Sequence, residues 1–101
     1  MYYTYIIRCK NNSLYTGYTT DIKRRIEEHS IGKNCKYTSI YGFSKLEICF
    51  KSKTKSEAMK VEYYIKQLNK LKKENIIDDP EMLIDEIRIK KLIDIEVFNM
   101  K

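Results

Sequence analysis

The sequence predicts a small mixed α/β domain, and three features carry that expectation. Two runs near the N-terminus, Tyr2 to Cys9 and Leu14 to Tyr18, are rich in aromatic and β-branched residues and read as strands. Further along, Thr54-Lys55-Ser56-Glu57 and Asp79-Pro80-Glu81 are both strong helix-start signals. The length of 101 residues, 43% of them hydrophobic and 34% charged, allows one modest core rather than two.

In chain order, Lys10 to Ser13 forms the turn between the first two strands, because asparagine tolerates left-handed backbone angles. Thr20 is placed to cap a helix from Asp21 to about His29, with Asp21 favourably set against the helix dipole. Ser30 to Tyr41 contains Gly32 and Asn34, lacks a helical period and reads as a loop. From Ser44 to Phe50, Leu46, Ile48 and Phe50 alternate with Lys45, Glu47 and Cys49, as in a strand with one buried face. The capping box at Thr54 opens a helix to about Lys72, and Pro80 opens another to about Lys91 that can pack through Leu83, Ile84 and Ile87. Asp94 to Phe98 alternates too, but is too short to define a strand.

No apolar run approaches the ~20 residues a membrane helix needs, and the early Arg8 and Lys10 do not suit a signal peptide, so the expected location is cytoplasmic. Cys9, Cys35 and Cys49 form no CxxC pair and His29 is the sole histidine, which argues against a Cys/His zinc site and for buried reduced thiols. Charge is uneven. Residues 1–73 carry 16 basic against 6 acidic side chains, while residues 74–101 carry 4 against 8. A basic body with an acidic tail suggests a polyanionic partner such as nucleic acid.

The sharpest local signal is charge where a core should be. In the first helix the apolar residues are Ile22 and Ile26, and the same stripe continues through Arg25 and His29. In the helix after Thr54, Ala58, Val61 and Ile65 set a stripe whose remaining member is Glu62. A carboxylate there must be paired, bound to a metal or open to a cleft. One partly buried salt bridge would explain a single such residue; three on two helices point to a site. Arg24, Glu27 and Glu28 lie off the stripe and read as ordinary surface. Tyr5 and Tyr15 share a sheet face only if the hairpin loop has odd length, which the sequence does not decide.

Tyr3-Thr4-Tyr5, then Tyr15-Thr16-Gly17, then Arg25 and His29, then Glu62 resemble the GIY-YIG nuclease family. Lys36-Tyr37-Thr38 and Lys55-Ser56-Glu57-Ala58-Met59 add to a likeness with its small stand-alone branch, the URI or YhbQ-like proteins, over about residues 2–72. Tyr3 stands where the family name has glycine, and Ser39-Ile40-Tyr41-Gly42-Phe43 stands where relatives tend to be arginine-rich.

The resemblance implies a three-stranded antiparallel sheet flanked by helices in residues 1–73; residues 74–101 lie outside it and are expected to form an acidic helical extension packed on or beside the same domain. The resemblance also implies hydrolysis of DNA phosphodiesters. In that scheme Tyr5 is the general base, Arg25 neutralises charge on the phosphoryl oxygens, and Glu62 binds one divalent cation, Mg²⁺ or Mn²⁺. Tyr15 and His29 orient water and phosphate, and Gly17 permits close backbone approach. Lys23, Arg24, Lys33, Lys36, Tyr37 and Lys66 are the candidate nucleic-acid contacts. One rival is a non-catalytic binder that stacks bases on tyrosines and meets phosphates with lysines. Another is an interaction domain whose acidic tail covers the basic face.

Overall fold

The computed structural model describes residues 1–99. Its centre is a four-stranded antiparallel sheet in the order β2-β1-β3-β4, formed by β1 (Tyr2–Cys9), β2 (Leu14–Thr19), β3 (Phe43–Ser52) and β4 (Glu96–Val97). The expected three strands are all present. The fourth is the short alternating stretch near the C-terminus, where Val97 pairs with Phe50 and Glu96 with Lys51. No helix is long and apolar enough to cross a membrane among the described residues.

The β1–β2 hairpin resolves the question of register. Cys9 N–H donates to the Ser13 carbonyl and Asn12 adopts φ +70°, so the loop is the three residues Lys10, Asn11 and Asn12. The odd count puts Tyr15 opposite Ile7 and Gly17 opposite Tyr5, which brings both tyrosines to one face.

Strand β3 departs from simple alternation. Ile6 pairs with Ile48 but Ile7 pairs with Leu46, so Glu47 is the extra residue of a bulge. Leu46 therefore packs with Tyr5, Ile7 and Ile22, while Ile48 and Phe50 pack on the opposite face. Glu47 is left pointing to Arg8, which accounts for a carboxylate in the middle of a strand.

Helices cover both faces. Helix α1 (Ile22–Ser30) seals the face of Tyr5 and Ile7 with Ile22 and Ile26. Its cap is Asp21 rather than Thr20, because the Asp21 carboxylate accepts the Arg24 backbone N–H. The stretch expected to be wholly loop contains a short helix, α2 (Lys36–Tyr41). Six residues are too few to show a period, and the segment is flanked by Asn34 and Gly42, both at positive φ.

The other face carries α3 (Lys55–Lys66), α4 (Lys70–Asp78) and α5 (Pro80–Lys91). The capping box at Thr54 and Glu57 forms as expected. The single long helix to Lys72 does not, because Asn69 accepts the Lys72 backbone N–H and starts α4 in a new direction. Helix α5 starts at Pro80, although the Asp79 side chain makes no capping bond. Leu83, Ile84 and Ile87, with Ile93 and Ile95 beyond, share one core with Ile6, Phe50, Val61 and Ile65.

Several acidic side chains of the C-terminal stretch are paired, some within that stretch and some with the basic body. Glu74 receives two hydrogen bonds from Arg8, Glu86 pairs with Lys90, Asp94 with Arg88, and Glu96 with Lys51.

Candidate active site

Of the residues singled out by helical period, Arg25 and His29 lie on the α1 face of the sheet with Tyr5, whereas Glu62 comes from α3 on the other face. His29 is 0% exposed and Tyr5 1% exposed, so the phenol and the imidazole meet in the core. Tyr5 Oη lies 2.8 Å from His29 Nε2, and His29 Nδ1 lies 3.1 Å from Thr38 Oγ1. Thr38 in turn donates to the Cys35 carbonyl at 3.3 Å. That donor assigns the tautomer. Thr38 oxygen accepts the Nδ1 proton, which leaves Nε2 bare to accept the Tyr5 hydroxyl. On its other side Tyr5 Oη accepts from Arg25 Nε at 3.3 Å. A directed chain thus runs from guanidinium to phenol to imidazole to threonine.

Burial sets the electrostatics. It pushes the Tyr5 phenol up to about 12 despite the opposing charge of Arg25. It also pulls His29 down to about 4, with help from Arg25, so the ring is neutral at physiological pH. Unfolded, the same ring protonates near 6.5, and acid therefore favours the unfolded chain. The stability this neutral ring contributes is complete above about pH 6.5. We expect roughly 2 kcal/mol of it to be lost as pH falls from 6.5 to 4.5, beside a smaller loss from carboxylates held low in the folded chain such as Glu74 and Glu86. Urea midpoints across that range should slope more steeply for the natural chain than for His29→Gln; parallel slopes would contradict the assignment.

Gly17 completes this sealed layer. A Cβ on it would stand 2.5 Å from Tyr5 Oη and 2.8 Å from Cζ. The glycine therefore leaves room for the ring of Tyr5 directly across the hairpin.

Arg25 and Tyr15 are only half-buried, and with Cys35, Lys36, Tyr37 and Tyr41 they line an open cavity of about 500 Å³. Besides Tyr5, Arg25 holds Glu28 at 3.1 Å and the Asn34 carbonyl at 3.3 Å, both through Nη1. Among the described residues Nη2 donates to no protein acceptor. Burial works against the Arg25 charge, but the bonds to Tyr5 and Glu28 outweigh it and hold the guanidinium above its ordinary value. Glu28, expected to be ordinary surface, is thus the counter-ion that aims Arg25. The i, i+3 spacing of the pair was the available signal.

Tyr15 packs edge-on to His29, and its ring begins a row that continues through Tyr37 to Tyr41 at centroid spacings of 5.4 and 4.7 Å. Burial raises the Tyr15 phenol, the neighbouring Cys35 thiol adds to the rise and Arg25 opposes it, with Glu62 the smallest contributor. Glu62 makes no direct hydrogen bond to the other four residues among the described contacts. It comes from α3, which crosses β1 and the edge strand β2, and its charge reaches Tyr15. Its side chain is 19% exposed, with Oε2 3.5 Å from Lys66 Nζ.

Among the described residues no group of three or more His, Cys, Asp and Glu side chains could hold a metal ion. A cation at Glu62 would therefore have at most two such ligands. A partly buried carboxylate whose neighbour is a surface lysine suits a cation that draws most of its shell from water and phosphate.

The remaining expected contacts divide by position. Lys23, Arg24, Lys33 and Lys36 are exposed on the α1–α2 side, Lys66 is exposed beside Glu62, and Tyr37 is half-buried in the aromatic row. The cysteines are not alike. Cys9 and Cys49 are buried with thiols pushed up, whereas Cys35 is half-buried at the cavity. Burial pushes its thiol up as well, but hydrogen bonds from Thr38 and Tyr15 outweigh that and hold it below the usual range.

Phenols, a guanidinium, a buried imidazole and a separate carboxylate are thus arranged around one small sheet. Residues 1–75 match the family model described as the GIY-YIG catalytic domain, and the chain belongs to the GIY-YIG family. It is 46% identical over 76 residues to UPF0213 protein BH0048 of Halalkalibacterium halodurans, covering 75% of this chain and 81% of that one. It is 41% identical over 78 residues to UPF0213 protein YazA of Bacillus subtilis, covering 77% and 79%. The solution NMR structure of BH0048 from Bacillus halodurans superposes with a TM-score of 0.51 at 39% identity, covering 89% of this chain and 98% of that one.

Proposed function

We propose that the protein is a metal-dependent DNA endonuclease in which Tyr15, Arg25 and Glu62 face the substrate and Tyr5 and His29 position them. The observation that carries this reading is the joint placement of Tyr15 and Arg25 on one open cavity.

The base is reassigned relative to the family-based expectation. A group that takes a proton from water must reach that water, and Tyr5 is sealed between β2 and α1. Tyr15 is half-exposed at the cavity and is therefore the phenol that meets the attacking water. His29 likewise touches neither water nor phosphate, since both its nitrogens are spent on Tyr5 and Thr38. Its part is to fix the Tyr5 hydroxyl, whose oxygen fixes Arg25 Nε. Arg25 then presents Nη2 to the phosphoryl oxygens as negative charge builds there. A divalent cation held at Glu62 would stabilise the leaving oxygen and offset the carboxylate charge that helps keep the Tyr15 phenol high. The exposed Lys23, Arg24, Lys33, Lys36 and Lys66 supply sequence-independent phosphate contacts.

Cleavage of mixed DNA substrates with Mg²⁺, Mn²⁺ or EDTA tests this. Glu62→Ala and Tyr15→Phe should each cut at least about a hundredfold more slowly, and Tyr5→Phe about tenfold more slowly. A larger defect in Tyr5→Phe than in Tyr15→Phe would return the base to Tyr5. Undiminished cutting by Glu62→Ala, or by the natural chain in EDTA, would remove the metal from the mechanism.

A further inference from the structure

Away from the candidate active site, α3 and the end of α5 enclose a groove of about 1020 Å³. Met59, Tyr63 and Tyr64 contribute its apolar surface, and Lys55, Lys60 and Lys91 supply charge, with no acidic side chain among its lining residues. Tyr63 is 68% exposed and Met59 45% exposed. Several apolar side chains are exposed on this chain, but Met59 and Tyr63 line one groove together with lysines, and it is this grouping that suggests a binding surface.

We propose that this groove is a second nucleic-acid contact, which takes an unpaired segment of a strand outside the cleavage site. The inference rests on the nuclease reading above and extends it to a surface that reading does not use. Two features choose nucleic acid. The groove presents lysines alone, which complements a phosphate backbone, and an exposed tyrosine ring offers a stacking face to any base. Its position is the second argument. Glu62, Lys66, Met59 and Tyr63 follow one another around the same turns of α3, so a strand passing Glu62 and Lys66 continues onto Tyr63 without leaving the helix. Lys91 comes from α5, beyond the residues matched by the family model. The groove thus depends on the C-terminal stretch of this chain.

The test is fluorescence anisotropy of labelled oligothymidylate with the full chain in EDTA, so that nothing is cut. Tyr63→Ala should weaken binding about tenfold. Lys60→Glu combined with Lys91→Glu should lower the slope of log affinity against log salt by about two. Both sets of changes are at exposed positions, and circular dichroism would verify the fold. If oligothymidylate binds but these variants bind like the natural chain, the groove proposal is overturned while the cleavage-site reading stands. If the natural chain binds no oligonucleotide at all, both fail. Tighter binding of polyglutamate than of oligothymidylate would overturn the proposal in favour of an acidic protein partner. Self-association lost in Tyr63→Ala with unchanged oligonucleotide binding would do so in favour of a second copy.

Discussion

Replacing Arg25 with alanine should slow strand cleavage by about three orders of magnitude while the chain stays folded. The reason lies in how one guanidinium is shared. Nε holds the Tyr5 hydroxyl, Nη1 holds Glu28 and the Asn34 carbonyl, and Nη2 is left for a ligand at the cavity. A planar fork fixed on two sides is already oriented before substrate arrives, so little reorganisation is needed as phosphoryl charge grows. Arg25→Lys should recover little, because one ammonium cannot span Tyr5, Glu28 and Asn34 at once. Single-turnover cleavage with matched thermal melts would measure both variants. The Arg25 charge also helps to hold His29 near 4, so in Arg25→Ala the ring should titrate closer to its ordinary value by NMR. Near-normal cutting by Arg25→Lys would mean that a point charge suffices and that the fork geometry is incidental.

The second large effect is expected from the smallest change. Gly17→Ala adds one methyl group, whose carbon would sit 2.5 Å from Tyr5 Oη. Tyr5 cannot swing away, since it is enclosed by the sheet and α1 and bonded to His29 and Arg25. Overpacking of this kind costs about 1–3 kcal/mol, and each kilocalorie lowers Tm by about 4–8 °C in a domain of this size. Cutting should fall at least about tenfold as well, as in Tyr5→Phe, because a displaced phenol releases both His29 and Arg25. The backbone at Gly17 is not the issue: its φ is not positive, unlike those of Gly32 and Gly42. A double-mutant cycle separates the causes. In a Tyr5→Phe background the hydroxyl is gone and Gly17→Ala should cost less. Equal cost in both backgrounds would show that the clash is with the ring carbons of Tyr5 rather than with its hydroxyl.

Much of the site could be read before any coordinates. Arg25, His29 and Glu62 stood out because they occupy apolar stripes, and a helical stripe is a local property with a fixed period. The capping box at Thr54 and the start at Pro80 were legible for the same reason, since caps depend on neighbours within one turn. Some local signals were present and were outweighed. Asn69 starts α4 inside a run of lysines that reads as one continuous helix, and Glu28 pairs with Arg25 from what looked like a solvated face.

The sequence by itself determined which polar side chains lie on otherwise apolar helix stripes and where the principal helices begin; the odd hairpin loop, with Asn12 left-handed, came from the structure. Tertiary structure alone decided which phenol is sealed and which is open, where the β3 bulge turns Leu46 away from Ile48, and that Thr38 and Cys35 join the site from α2 and its cap. It also decided that β4 forms, because two residues become a strand only against the waiting edge of β3. Periodicity and capping act over a few residues of one segment, whereas exposure, register and pairing are settled by how distant segments share the same space.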